Sequence, residues 1–121
     1  MTFGESISTC FRKYGDFTGR AARGEFWWFF LFMWLVEGLA WVLVHPRRYE
    51  ANPRFGLVAL IYLALLIPYL AAAVRRLHDT GRSGAYLFLV FIPLIGAIML
   101  IVFWAEEGHP SANLYGPPIT S

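Results

Sequence analysis

Three apolar runs, residues 26–44, 55–74 and 85–105, make up half of the chain and hold one charged side chain between them, Glu37. The hydrocarbon core of a bilayer is about 30 Å thick and an α-helix rises about 1.5 Å per residue, so each run is long enough to cross once. Lipid offers no partner to a backbone N–H or C=O, which makes helices the expected form of all three. The alternative, a soluble protein with apolar core helices, meets a volume problem. Of 121 residues 58% are hydrophobic and 18% aromatic, and only 15% are charged. One soluble core of this size cannot bury that much Phe, Trp and Leu, so lipid must solvate part of the surface. The expected fold is an all-α membrane protein, with three transmembrane helices preceded by a short amphipathic interfacial helix, in a single integral membrane domain over residues 1–121.

The interfacial helix is read from Phe3, Ile7, Phe11 and Tyr14, which recur at helical spacing over about residues 3–14 and leave Glu5, Arg12 and Lys13 toward water. Gly15 and Gly19 are expected to end it. The N-terminal residues lack the apolar stretch and cleavage site of a signal peptide, so insertion is expected to be directed by an internal segment. Cys10 is the single cysteine, which excludes an intrachain disulfide. The tail, residues 106–121, is rich in Pro, Gly, Ser and Asn and reads as irregular chain.

Orientation follows from the basic residues. Arg12, Lys13, Arg20 and Arg23 precede the first run, and Arg75, Arg76 and Arg82 lie between the second and third. Arg47, Arg48 and Arg54 lie between the first and second, and the tail has no Lys or Arg. The positive-inside rule then places the N-terminus and the 75–84 loop in the cytoplasm. Three crossings would put the tail, with Glu106 and Glu107, on the opposite side. Trp27, Trp28 and Tyr86 then fall at the cytoplasmic boundary and Trp41 and Trp104 near the outer one. Pro93 and Gly96 leave open a re-entrant turn at residues 92–96, which would return the C-terminus to the cytoplasm.

Polar chemistry is concentrated in two segments on that inner side. The stretch RRLHDTGRSG, residues 75–84, continues the second helix far enough to put Arg75, His78, Asp79 and Arg82 on one face, and Gly81 is expected to stop it. Arg20, Arg23 and Glu25 lie on the same side of the membrane. The expected arrangement is a polar cluster in which Glu25 and Asp79 bind arginines from the other segment. A packed polar cap with no further role explains the same residues.

The segments FTGRAARGEFWWF, RRLHDTGRSG and EEGHPSANLYGP, in this order and spacing, resemble the domain of unknown function 805 family, the YhaH/YhaI-like small bacterial inner-membrane proteins. The resemblance covers nearly the whole chain. It implies a multi-span helical fold in the bacterial cytoplasmic (inner) membrane, and it implies no activity. The positions it marks are Gly19, Arg20, Arg23, Glu25, Phe26 and Trp27, then Arg76, Leu77, His78, Asp79 and Gly84, then Gly108, Asn113, Tyr115, Gly116 and Pro117.

Other chemistry is thinly supported. His78 and Asp79 could begin a metal phosphohydrolase site, but His45 and His109 are expected across the bilayer, and no metal is expected. No Gly-rich phosphate loop, Walker lysine or supported Ser-His-Asp set is present, so neither an enzyme nor a cofactor is expected. The basic residues are few and membrane-proximal, which argues against nucleic acid and for membrane lipids, possibly anionic ones, as partners. Glu37 sits near mid-bilayer, where a carboxylate must be neutral, paired or wetted. The expected function is that of an accessory, scaffold or stress-related membrane component acting through lipids or other membrane proteins. A small oligomeric transporter or channel using Glu37 is the alternative, and a lipid-head-group enzyme using His78 and Asp79 ranks last.

Overall fold

The computed structural model describes residues 2–44 and 53–119; its regular elements are all helices, with one isolated backbone bridge in an irregular tail. His45, Arg47 and Arg48 of the first loop, and the side chain of Arg54, lie outside the described residues.

Helix α1, Phe3–Arg12, begins with a capping box. The Thr2 hydroxyl accepts from Glu5 N at 3.2 Å, and the Glu5 carboxylate accepts from Thr2 N. Its apolar stripe does more than face an interface. Phe3 meets Trp28 edge-on at 5.7 Å and Phe11 meets Phe29 at 5.9 Å, while the Tyr14 hydroxyl just beyond the helix donates to Ala64 O. The next helix opens with Phe26, Trp27, Trp28 and Phe29, and this aromatic surface gives α1 a protein partner.

Helices α2, Arg23–Val44, and α3, Pro53–Asp79, are both long and apolar enough to cross a membrane. They pack through Phe26, Phe29 and Met33 on one side and Leu65, Ala72, Ala73 and Leu77 on the other. The fully buried alanines 71–73 remove side-chain bulk where the helices meet near their polar ends. Helix α3 runs one turn past its apolar segment and carries Arg75, Arg76, His78 and Asp79 with it. Gly81, at φ +80°, then stops it: Arg82 N donates to Leu77 O at 2.8 Å and Gly81 N to His78 O at 2.9 Å, the paired bonds of a Schellman motif.

The third apolar run departs from expectation. It forms a 3₁₀ helix, Gly84–Phe91, and a separate helix α4, Ile95–Ala105, joined by a sharp reversal. Pro93 cannot continue a helix. Leu94 takes φ 63° and ψ −60°, and Ile95 N donates to Pro93 O at 2.7 Å, which makes a γ-turn. Gly96 is buried against the Leu89 carbonyl, where a Cβ would have no room. With 11 residues α4 is about 16 Å long, half of a hydrocarbon core. Both ends of the hairpin lie beside the end of α3: Gly84 abuts Val74, and Trp104 O accepts from Arg76 Nε at 2.9 Å. The run is therefore divided into two short helices whose outer ends lie together beside α3, where one continuous helix was expected over residues 85–105. The tail consequently emerges beside the 75–84 loop rather than opposite it, and Trp104 sits at the polar end rather than the far one.

Away from the polar end, much of the surface of α2 and the hairpin is apolar. Trp34, Leu35, Leu39, Trp41 and Val42 on α2 and Phe88, Phe91, Leu94 and Ile95 on the hairpin are exposed. Patches of this extent suit lipid contact rather than water.

Candidate functional site: a buried polar cap

Four segments meet at one end of the bundle: the loop before α2, the first turn of α2, the last turn of α3 and the tail. Asp79 is the centre. Its Oδ1 accepts from Arg20 Nε at 2.7 Å and its Oδ2 from Arg76 Nη1, and all three side chains are buried. Glu25, in the first turn of α2 where the helix dipole favours an acid, pairs with Arg75. The acids and arginines of the two segments are thus exchanged across the interface. Arg20 reaches Asp79, while Arg23 is exposed and borders a surface cavity of about 330 Å³.

Three buried arginines face two buried acids, which would leave a cation uncompensated in a dry site. Backbone carbonyls make up the difference. Arg20 Nη1 donates to Ser111 O at 3.0 Å and Gly116 O at 3.2 Å, and its Nη2 to His109 O at 2.6 Å. Arg76 donates to Ala21 O at 3.1 Å as well as to Trp104 O, and its Nη2 reaches Glu106 O. The end of α3 adds its own negative dipole. Arg75 keeps buried donors without an acceptor at Nε and Nη2, as does Trp104 at Nε1.

His78 and Asp79 are adjacent in sequence but serve different neighbours. His78 Nδ1 lies 2.8 Å from Gly19 O, which can only accept, so Nδ1 carries a proton. The imidazole stacks on the Tyr115 ring, 3.9 Å between centroids and 2° from parallel. Asn113 donates to His78 O at 2.9 Å and accepts from Tyr115 N at 2.8 Å, and Asn113 and Gly116 exchange backbone bonds. Gly116, at φ +131°, supplies the turn. Asn113, Tyr115 and Gly116 therefore clamp the tail onto the end of α3, while Pro117 is exposed beside them. Arg82 pairs with Glu106 at 2.8 Å and lies over the Phe103 ring at 3.9 Å.

On the α1 side, Ser6 Oγ and Cys10 Sγ both donate to Glu25 O. Burial, with the Glu25 carboxylate adding to it, pushes the Cys10 thiol up to about 11. Asp16, on the loop before the cap, is held below the usual carboxylate range by hydrogen bonds from the Thr18 hydroxyl and N–H.

Sequence reasoning missed Glu106, His109, Ser6, Cys10 and the carbonyls of Ala21 and Trp104. Glu106 and His109 were expected across the membrane because the third run was read as a crossing. The others contribute through backbone carbonyls, the Ser6 hydroxyl or the Cys10 thiol, which leave no charge pattern in the sequence. Gly108 was marked by the family motif, and its reason is local: a Cβ there would strike the Asp79 carboxylate. Glu37 lies far from the cap, half-buried between α2 and α3. Among the described residues no three His, Cys, Asp or Glu side chains converge as a metal site would need.

The family model for DUF805, a protein family of unknown function, matches residues 14–117. The chain is 38% identical to the inner membrane protein YhaI of Escherichia coli K12 over 106 residues, covering 87% of this chain and 86% of that one. It is 35% identical to the inner membrane protein YhaH of the same strain, covering 88% of each. The uncharacterized protein YiiR is 36% identical, covering 84% of each chain. No solved structure matches. The cap accounts for the spacing of the three polar segments, and with that match the chain belongs to the DUF805 family of membrane proteins.

Proposed function

We propose that this protein is a non-catalytic accessory or scaffold component of the bacterial inner membrane, acting through lipids or other membrane proteins. The observation that carries this reading is the internal use of the cap. Arg20, Arg76 and Asp79 direct their side-chain donors and acceptors at one another and at the chain's own carbonyls. A site that had to bind and release substrate would keep some of these groups open. His78 is stacked and bonded, and it does not converge with Asp79 on any common point. What the molecule offers outward is the apolar surface of α2 and the hairpin, and Arg23 at the rim. A contribution of roughly 1 kcal/mol per surface cation favours anionic lipid near that rim.

The cap faces the cytoplasm in this reading, because the basic residues of the N-terminal segment and of the 75–84 loop meet there. Affinity purification from membranes, with identification of copurifying lipids and proteins, tests it. Enrichment of a defined membrane protein or of anionic lipid is expected, reduced when Arg23 is replaced by Ala. Recovery of the bare protein with bulk lipid composition would refute it.

A further inference from the structure

A second feature lies about 20 Å from the cap by helix rise, on the opposite half of the bundle. Glu37 is the one acid within the three apolar runs, which contain no Lys, Arg or His to meet it. None of the ion pairs among the described residues involves it. Helices α2 and α3 pack closely near the cap but leave space around Glu37 on both sides. A cavity of about 510 Å³ is lined by Val36, Ala40, Trp41 and Leu65. A second, of about 190 Å³, is lined by Phe30, Trp34 and Tyr69. Met33, Glu37 and Tyr62 border both, so Glu37 lies between two openings in an otherwise apolar and aromatic groove.

The chemistry of the lining selects the occupant. An acyl chain would fill the space but leave the carboxyl group unmet, which is costly in an apolar wall. A hydrated divalent cation needs six or more oxygen ligands, and the groove supplies one acid and the phenols of Tyr62 and Tyr69. A cation whose charge is spread through an apolar body needs neither. It fills the volume, meets the carboxylate, and places positive charge against aromatic faces. Those faces are open: Trp34 is 62% exposed and Tyr62 45%.

We propose that the α2–α3 groove around Glu37 binds a hydrophobic monocation of the quaternary ammonium or phosphonium type. This site is independent of the accessory reading, which rests on the cap.

Tetraphenylphosphonium and tetraphenylborate have the same shape and opposite charge, and they form the test pair. Binding to the purified protein in phosphatidylcholine nanodiscs is followed by quenching of Trp fluorescence and by calorimetry. Saturable binding of the phosphonium and none of the borate is expected. Glu37→Gln should weaken phosphonium binding by at least about tenfold, with Glu37→Asp intermediate. Tyr62→Leu and Trp34→Leu should each weaken it about threefold while leaving the carboxylate in place, which guards against a misfolded Gln variant. Equal uptake of both ions, or undiminished phosphonium binding by Glu37→Gln, would overturn the proposal. So would a stable dimer cross-linked through this groove that excludes the phosphonium, because the occupant would then be a second copy of the chain.

Discussion

Asp79 shows how the worth of one side chain depends on what its loss leaves behind. Replacing it by Asn leaves Arg20 and Arg76 buried with carbonyls alone, and an uncompensated buried charge costs about 3–5 kcal/mol. The Arg82–Glu106 pair is partly exposed, so Arg82→Ala should cost less than about 1 kcal/mol. Denaturation in mixed micelles, with helicity followed by circular dichroism, separates the two. Cys10 makes a pH-dependent counterpart. Its thiol is raised from an ordinary 9.0 to about 11, so the unfolded chain loses that proton first as pH rises. The Cys10 contribution to stability is therefore complete below about pH 9 and is lost as pH climbs through 11. Cys10→Ser should flatten the alkaline limb of a stability–pH curve, and maleimide labelling of the native protein at neutral pH should be slow.

The helical elements differ in how openly the sequence announced them. For α2 and α3 it was plain, because uninterrupted apolar residues leave lipid-facing backbone a single choice. The extension of α3 to Asp79 and its stop at Gly81 were also readable, from the spacing of charges and the one residue that takes positive φ cheaply. The hairpin was only half legible. Pro93 and Gly96 marked a break, but length and composition fit a crossing equally well. The decision lies in contacts far along the chain: the Leu89 carbonyl against Gly96, and Trp104 O on Arg76. Leu94 carries the strain of the reversal, and a left-handed backbone costs a branched residue about 1–2 kcal/mol. Leu94→Gly should therefore raise stability by about 1 kcal/mol. Gly96→Ala should lower it by about 1–3 kcal/mol by driving the two arms apart, with unfolding of the purified protein as the measure of both.

At the scale of the whole molecule, the hairpin over residues 84–105 brings the start of the tail back beside the end of α3, where Arg76 and Arg20 hold it. Reporters fused in turn to the N-terminus and the C-terminus should read the same compartment, and opposite readings would refute the hairpin. The cap ties together pieces made at different times. Arg76 draws on Ala21 behind it and on Trp104 and Glu106 ahead of it, and Arg20 waits for His109 and Ser111. At about 5–20 residues per second, a ribosome needs about 2–6 s to pass from Arg76 to Glu106. During that interval Arg20 and Arg76 have Asp79 and the Ala21 carbonyl, but the acceptors of the tail do not yet exist. A chain ending at residue 105 would stay in that condition, and in a pulse-chase it should be cleared faster than the full chain. Closure of the cap thus couples the settling of α2 and α3 to the synthesis of residues 106–116.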